Sequence, residues 1–210
     1  MSKLESLVRV TEGQAKVAGE IIARAFQDYP TFIYIYPDED ERSRKLPKIY
    51  EFVVRYGIMY GEVYGSSPNL EGVAVWLPFW NAEMTEERTT KCAYSYSESR
   101  ELISVFDEEY FKIEEPIKQC EYRCHKQYAD FINWYLYPIG VDPDHQGSGY
   151  AGLLLRAKLE EIDKQNVPCY LETHKEKNSS LYQHFGFEIM EEGTISGTDL
   201  SYWSMLRIKD

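Results

Sequence analysis

The segment that most constrains this chain runs from a strand-like stretch through a glycine-rich turn into a helix-like stretch. Residues 132–141 are mainly apolar and aromatic, which predicts a strand. Pro138 interrupts that strand and cannot donate to a sheet ladder, so we expect a bulge or an edge position there. Pro143 ends the pattern, and apolar residues at helical spacing then predict a helix over about 148–165.

The turn between the strand and the helix reads Gln146-Gly-Ser-Gly-Tyr-Ala151. Glycines let a backbone approach an anion closely, and the first amides of a helix have no partner within the helix. Such a turn binds phosphate without cationic side chains. A Gly-x-Gly pair alone is equally compatible with a simple tight turn. The spacing fits neither the Gly-x-Gly-x-x-Gly dinucleotide fingerprint nor the Gly-Lys-Ser/Thr of a P-loop.

The rest of the chain predicts alternating helices and strands, with no internal repeat and no low-complexity segment. The predicted strands are 8–10, the hairpin 61–64 with 72–77, then 167–173, 186–190 and 201–208, with a turn at 193–198. The predicted helices are 11–26, 46–59 with Pro47 in its first turn, most of 81–128 with Pro116 between two helices, and 178–184. The aromatic stretch 29–38 is predicted to be an ordered loop.

Length and charge narrow the classes of function. A chain of 210 residues favours one domain. Its 23 basic and 35 acidic residues give a net charge of −12, which argues against nucleic-acid partners and against binding to anionic membranes. The start of the chain has no apolar leader, so we expect a cytoplasmic protein with reduced thiols. Cys120, Cys124 and His125 lack a second ligand pair, so no metal site is expected.

Two motifs in sequence order resemble the GCN5-related N-acetyltransferase (GNAT) superfamily. After a strand ending in Val-x-Pro, the family has Gln/Arg-x-x-Gly-x-Gly/Ala, and Gln146, Gly149 and Ala151 occupy those positions here. A second strand then precedes Tyr182-x-x-x-Gly186-Phe, an ending that is frequent in the family. The resemblance implies one α/β domain over 1–210. Its mixed, mostly antiparallel sheet would be flanked by helices, with splayed central strands and a helical insertion at about 81–128.

The resemblance also implies how an acyl-CoA would bind. Backbone groups of two strand residues would pair with the pantetheine arm, the amides of the glycine-rich turn would hold the pyrophosphate, and one side chain after the second strand would support the cofactor. These residues are Ile139 and Val141 for the arm, Gln146, Gly147, Ser148, Gly149, Tyr150 and Ala151 for the pyrophosphate, and Asn178 for support. The family often places its asparagine seven residues before the tyrosine, which is Lys175 here, so Lys175 or Lys177 is an alternative phosphate contact.

The family reaction is direct attack of an amine on the acetyl-CoA thioester. Tyr182 would protonate the departing thiolate, and a backbone N–H near Tyr137–Ile139 would stabilise the oxyanion. Glu172 is the first candidate for the base, ahead of His174 and Glu71. The alternatives are that Glu172 binds a helix end or the substrate's charge, and that Tyr182 is only a core tyrosine.

The leading interpretation is an acetyl-CoA-dependent N-acetyltransferase that acts on a small-molecule amine and uses no metal. The acidic composition weakly favours a cationic acceptor, and 29–37 with the insertion would form the acceptor pocket. A homodimer is compatible with the sequence. One alternative is a non-catalytic acyl-CoA sensor or interaction domain. Tyr182→Phe would distinguish the two, because an enzyme should lose turnover while its affinity for CoA survives. Another is a phosphate-binding domain unrelated to CoA.

Overall fold

A seven-stranded sheet organises the protein, whose computed structural model describes residues 3–95 and 108–209. The strands lie in the order β1-β2-β3-β4-β5-β7-β6, and every neighbouring pair is antiparallel except the central β4–β5 pair. The strands are β1 (Val8–Arg9), β2 (Glu62–Gly65), β3 (Gly72–Pro78), β4 (Trp134–Val141), β5 (Cys169–Thr173), β6 (Glu188–Thr194) and β7 (Ser201–Arg207).

The two central strands are splayed. β4 and β5 pair only at Trp134↔Cys169 and Tyr135↔Tyr170, after which no residue of β4 pairs with β5. On its other edge β4 remains paired with β3 as far as Val141. The predicted mixed, mostly antiparallel sheet with splayed central strands is therefore confirmed.

Helices cover both faces of this sheet. They are α1 (Ala15–Phe26), α2 (Pro30–Ile35), α3 (Glu39–Tyr60), α4 (Phe79–Ala82), α5 (Glu86–Tyr94), α6 (Glu108–Tyr128), α7 (Tyr150–Gln165) and α8 (Glu176–His184). One core contains residues of α1, α3 and α6, and the other contains residues of α7 and α8. None of the described helices is long and apolar enough to cross a membrane.

Pro138 produces the expected bulge. Ala74 of β3 lies opposite Ile139 and Trp76 lies opposite Leu136, so two residues of β4 oppose one residue of β3 between those pairs. The extra residue changes which face the later side chains take. Leu136 and Ile139, three apart, both lie on the α7 face. In a regular strand, residues three apart point to opposite faces.

The prediction that 29–38 is a loop is wrong, because Pro30–Ile35 forms the helix α2. Pro30 is at the start of the helix, where its missing N–H costs nothing, and Tyr29 before it is extended. The alternating aromatic residues suggested no helix, but their rings pack against other helices. The centroid of the Phe32 ring lies 6.4 Å from that of Phe26 and 5.6 Å from that of Tyr50. Tertiary packing therefore decides the structure of this segment.

The expected roles of two prolines are also wrong. α3 begins at Glu39, since Asp38 accepts a hydrogen bond from the amide of Glu41 at 2.7 Å, and Pro47 therefore lies inside the helix. Pro116 likewise lies inside α6 instead of separating two helices. An internal proline removes one helical hydrogen bond. Burial of the residues beside each proline, Leu46 and Ile117, offsets that loss.

Two smaller boundaries differ from expectation. β6 extends to Thr194, into the predicted turn at 193–198, because its pairing with β7 continues to Thr194↔Ser201. In the predicted helical stretch 81–128, the segment 96–107 lies outside the described residues, and the described parts form the end of α4, α5 and α6.

Packing of α1 on α3 gives a testable consequence at Gly19. A Cβ added there would lie 2.5 Å from the backbone nitrogen of Glu51, so a helix backbone would have to move. We expect Gly19→Ala to lower the free energy of unfolding by about 1–3 kcal/mol in urea denaturation. Gly13→Ala is the matched control, because nothing lies within 4 Å of its added Cβ. Equal stability of the two variants would contradict the close approach of α1 and α3.

Candidate active site

An open strand edge forms where β4 and β5 part. The amide of Asp142 donates to the carbonyl of Glu71 at 2.9 Å, on the β3 side of β4. Backbone groups of successive strand residues point to opposite edges, so those of Ile139 and Val141 point away from β3, toward the gap. The carbonyl of Val141 accepts a hydrogen bond from the side chain of Gln146 at 3.1 Å. This edge is where the sequence predicts a pantetheine arm.

The glycine-rich turn lies beyond the end of β4 and is exposed. Gly147 and Gly149 have φ of +80° and +85°, a left-handed conformation that favours glycine, and a Cβ added at either position would meet open space. The carbonyl of Gly149 accepts the bond from Leu153 at 2.9 Å, so the amides of Tyr150 and Ala151 precede the first bond of α7. They are free to bind an anion. The amide of Gln146, by contrast, donates to Pro143 at 3.4 Å.

Asp142 anchors this turn to the rest of the fold. Its carboxylate accepts a hydrogen bond from Nε of Arg24 at 3.1 Å and another from the amide of Asp144 at 3.1 Å. Hydrogen bonding from Arg24 lowers the pKa of Asp142 despite the opposing effect of burial. The start of the turn is thereby fixed to α1 on one side and to β4 on the other.

A cavity of about 1180 Å³ lies on the α1–α3 face of the sheet, beside the gap. Its walls come from α3, α4, α5, α6 and the strands β4 and β5. Most of the wall is apolar or aromatic, including Phe52, Phe79, Trp80, Tyr135 and Tyr137. Seven carboxylic side chains and three from Lys or Arg also line it. The cavity therefore suits an organic molecule that carries positive charge.

Glu172 brings the predicted base into this cavity. It lies on β5, and its Oε2 is buried with no hydrogen-bond partner. Burial raises the pKa of Glu172 to about 7, while hydrogen bonding from Tyr135 and Tyr170 opposes the shift. A carboxyl group whose pKa is near the working pH can both accept and release a proton.

The other two candidate bases differ from Glu172. Both Ser66 and Ser67 donate to Glu71, at 2.9 and 2.7 Å, and hydrogen bonding lowers its pKa to about 2. Glu71 is therefore a turn residue of the β2–β3 hairpin and a weak base. Burial lowers the pKa of His174 to about 4, which keeps its ring neutral. Its Nε2 lies 3.7 Å from Oε1 of Glu121.

Tyr182 and Asn178 lie on the other side of the gap from the cavity. Tyr182 is buried in the α7–α8 core, with its ring 5.9 Å from that of Phe187. Burial, with a smaller contribution from Tyr29, raises the pKa of Tyr182, so the phenol keeps its proton at neutral pH. Asn178 donates to Thr173 at 3.4 Å, which holds its side chain at the end of β5.

Sequence reasoning missed Glu121, Tyr135 and Tyr137 as wall residues. Glu121 lies on α6, within a charged amphipathic helix whose inward face could not be distinguished before its neighbours were known. Tyr135 precedes the bulge, Tyr137 lies within it, and both line the cavity. Their alternation along β4 was the available signal.

Comparison with known proteins finds a matching family profile and a related protein. The profile of the Acetyltransferase (GNAT) domain family matches residues 101–189, a range that contains both motifs. A protein of Schizosaccharomyces pombe, named as an uncharacterized N-acetyltransferase, is 27% identical over 184 residues. That alignment covers 85% of this chain and 72% of the relative.

Solved structures share the fold along nearly the whole chain. A Corynebacterium glutamicum protein described as histone acetyltransferase HPA2 and related acetyltransferase has a TM-score of 0.66 at 20% identity, over 98% of this chain and 96% of its own. The polyamine N-acetyltransferase of Drosophila melanogaster has a TM-score of 0.61 at 13% identity, over 97% and 99%. Arylalkylamine N-acetyltransferase 2 of Aedes aegypti has a TM-score of 0.60 at 12% identity, over 97% and 98%.

The fold that carries the splayed sheet, the glycine-rich turn and the cavity beside the gap is shared with these solved acetyltransferase structures. The match over residues 101–189 and the Schizosaccharomyces pombe relative support the GNAT resemblance that the sequence predicts, and with it an acyltransferase that uses acetyl-CoA as co-substrate.

Gly149 offers a test of the glycine-rich turn. Alanine at a left-handed position costs about 1–2 kcal/mol of backbone strain, and its Cβ would stand among amides expected to face the pyrophosphate. We expect Gly149→Ala to raise the KM for acetyl-CoA at least tenfold. Gly197→Ala is the matched control, since Gly197 also has a left-handed φ, +79°, and open space around its added Cβ, but lies in the β6–β7 turn. Equal KM values in the two variants would argue against anion binding at the turn.

Proposed function

We propose that the protein transfers an acetyl group from acetyl-CoA to the amine of a small molecule, by direct attack while both substrates are bound. The observation that carries this proposal is the cavity that meets the β4–β5 gap at Glu172 and Tyr137. An acyl donor in the gap and an acceptor in the cavity would meet at that point. The small-molecule amines named for the Drosophila and Aedes structures support this class of acceptor.

The donor would be held mainly by backbone groups. The open edge at Ile139 and Val141 offers hydrogen bonds to the amide groups of a pantetheine arm. Gly147, Ser148, Gly149, Tyr150 and Ala151 offer amides to the pyrophosphate, while the Gln146 amide is already bonded. Main-chain donors suit a chain with net charge −12, because they attract an anion without adding lysine or arginine.

Deprotonation of the acceptor would fall to Glu172. An alkylamine is an ammonium ion at neutral pH and must lose a proton before its nitrogen can attack. The nitrogen then forms a bond to the thioester carbonyl carbon, and the carbon–sulfur bond breaks. In going from ammonium to amide the nitrogen loses two protons overall, one of which is balanced by the proton gained by the thiol while the other leaves to solvent.

The remaining steps would use groups at the gap. The Ile139 amide points to the open edge beside the bulge, where it would stabilise the developing oxyanion, since Pro138 has no N–H. Tyr182 would give its proton to the departing thiolate from the opposite side of the gap. The phenol carries its proton at neutral pH, since burial raises its pKa, and so has a proton to give.

The test is a thiol-release assay with acetyl-CoA and a panel of small amines, including alkyl monoamines, diamines and benzylamine. We expect thiol release that depends on both substrates, with acetyl-CoA raising the melting temperature in the absence of amine. Tyr182→Phe should lower turnover while acetyl-CoA still stabilises the protein. Stabilisation without turnover of any amine would favour the non-catalytic sensor instead.

The role of Glu172 predicts a specific pH profile. Since the pKa of Glu172 is raised to about 7, the ionised base forms as the pH passes through 7. We therefore expect kcat/KM to increase with pH, and the limb of the profile where it increases should be centred near pH 7. We expect Glu172→Gln to lower kcat/KM by about 10²–10⁴-fold and to abolish that limb. Glu176→Gln, an exposed change in the first turn of α8, should keep both the rate and the limb.

The same substitution has an opposite effect on stability. A raised pKa means that folding disfavours the ionised carboxylate, a penalty that develops between the unfolded value near 4.5 and the folded value near 7 and persists above it. Glu172→Gln should therefore raise the melting temperature at pH 8 but not at pH 4. An inactive variant that is also unstable at pH 8 would contradict a catalytic base.

A further inference from the structure

Glu121 is a second carboxylic acid of the cavity, and the cation that acts on it is already paired with another carboxylate. It lies on α6 and lines the same cavity as Glu172. About 32% of its side-chain surface is accessible because it faces the cavity instead of packed protein. Among the described residues, Lys118 is the one cation that acts on it, and the Lys118 ammonium lies 3.0 Å from Glu114.

The described groups that face Glu121 from the other elements carry no compensating positive charge. Burial raises its pKa, with repulsion from Glu172 on β5 and from Glu114 adding to the shift. The nearby phenols from other elements are neutral, since burial raises their pKa values; they are Tyr29, Tyr50, Tyr135 and Tyr137. In the part of the chain that the structure describes, the pair formed by Glu121 and Glu172 therefore has no cation of its own apart from Lys118, which is paired with Glu114.

His174 gives an independent sign that this pair is built to handle charge. Its side chain is 6% exposed, and its Nε2 has no hydrogen-bond partner although it lies 3.7 Å from Oε1 of Glu121. The Tyr29 hydroxyl accepts the His174 amide at 2.8 Å and pairs with Thr173 at 2.9 Å, which fixes the backbone beside the ring. An unpartnered buried nitrogen aimed at a carboxyl group is a costly arrangement without a functional role.

We propose that Glu121 and Glu172 jointly capture the acceptor as its ammonium ion, so that the enzyme selects strongly basic alkylamines over weakly basic arylamines. This inference rests on the proposed function and names the class of acceptor for that same site. Two carboxylates placed together favour a cation between them and disfavour a neutral nitrogen. Glu121 contacts the ammonium directly and is a further catalytic residue.

The proton balance of the reaction is consistent with two carboxylates that accept protons. The free pair holds one proton, because two carboxylates enclosed in the same cavity resist ionising together. Entry of the ammonium ion lets both ionise, and the displaced proton leaves to solvent. The nitrogen then gives one proton to Glu172 before attack and a second to Glu121 as the amide forms. One of these protons restores Tyr182 after it has protonated the thiolate, and the other stays on the pair, which regains its starting state.

The experiment compares benzylamine with aniline in the thiol-release assay. The two molecules have similar shapes, but the nitrogen of aniline is uncharged at neutral pH. We expect kcat/KM for benzylamine to exceed that for aniline at least 100-fold, and Glu121→Gln to reduce that ratio at least tenfold. Comparable use of aniline and benzylamine by the wild-type protein would overturn the inference while leaving acetyl transfer intact.

The split between KM and the pH profile separates a catalytic role of Glu121 from a structural one. Glu121 keeps its proton over the pH range in which Glu172 ionises, so Glu121→Gln should leave the rise of activity near pH 7 in place while raising the KM for benzylamine at least tenfold, and Glu121→Asp should restore most of the wild-type KM. Glu109→Gln, an exposed change on the same helix outside the cavity, should alter neither the ratio nor the KM. An unchanged KM for benzylamine in Glu121→Gln would overturn the proposal. Absence of thiol release with every amine, despite stabilisation by acetyl-CoA, would instead overturn the proposed function itself.

Discussion

The structure depends on a single interrupted strand pairing. β4 and β5 are held together by two parallel residue pairs and then separate, while each strand keeps an antiparallel neighbour on its other edge. The antiparallel ladders and the two cores therefore maintain the fold while the middle of the sheet stays open. Polar backbone groups left at an open strand edge need partners, and a ligand can supply them. The binding site is in this sense a gap in the hydrogen bonding of the sheet.

Charge is divided between the two sides of that gap. The side reached by the glycine-rich turn offers backbone amides, which carry partial positive charge and suit phosphate. The cavity side offers carboxyl groups, foremost Glu172 and Glu121, which suit a cation. An anionic donor and a cationic acceptor would thus be attracted to different sides of the sheet and would meet only at its opening.

The sequence predicted the sheet, the bulge and the turn because each depends on local chemistry. Pro138 cannot pair on both edges of a strand, and Gly147 and Gly149 permit backbone angles that other residues resist. It failed where tertiary contacts override local preference. Buried neighbours carry Pro47 and Pro116 inside long helices, and α2 forms from residues that favour strands because Phe32 packs on Tyr50. The cavity wall was largely hidden for the same reason, since the position of Glu121 is set by how α6 lies on the sheet.

The bulge at Pro138 also determines how β4 tolerates changes in length. Tyr135 and Tyr137 lie on one face of the sheet, whereas Leu136 and Ile139 lie on the other. The extra residue in the bulge therefore reverses the face on which each later residue of β4 lies. Deleting one residue there would move the side chains of Ile139 and Val141 to the opposite face of the sheet. It would also point their backbone N–H and C=O groups away from the β4–β5 gap. Insertions at Pro68 and Asn69, the exposed tip of the turn between β2 and β3, would not change which face each residue of β4 takes. Related chains should therefore vary freely in the hairpin turn and hold the count between Trp134 and Val141 fixed.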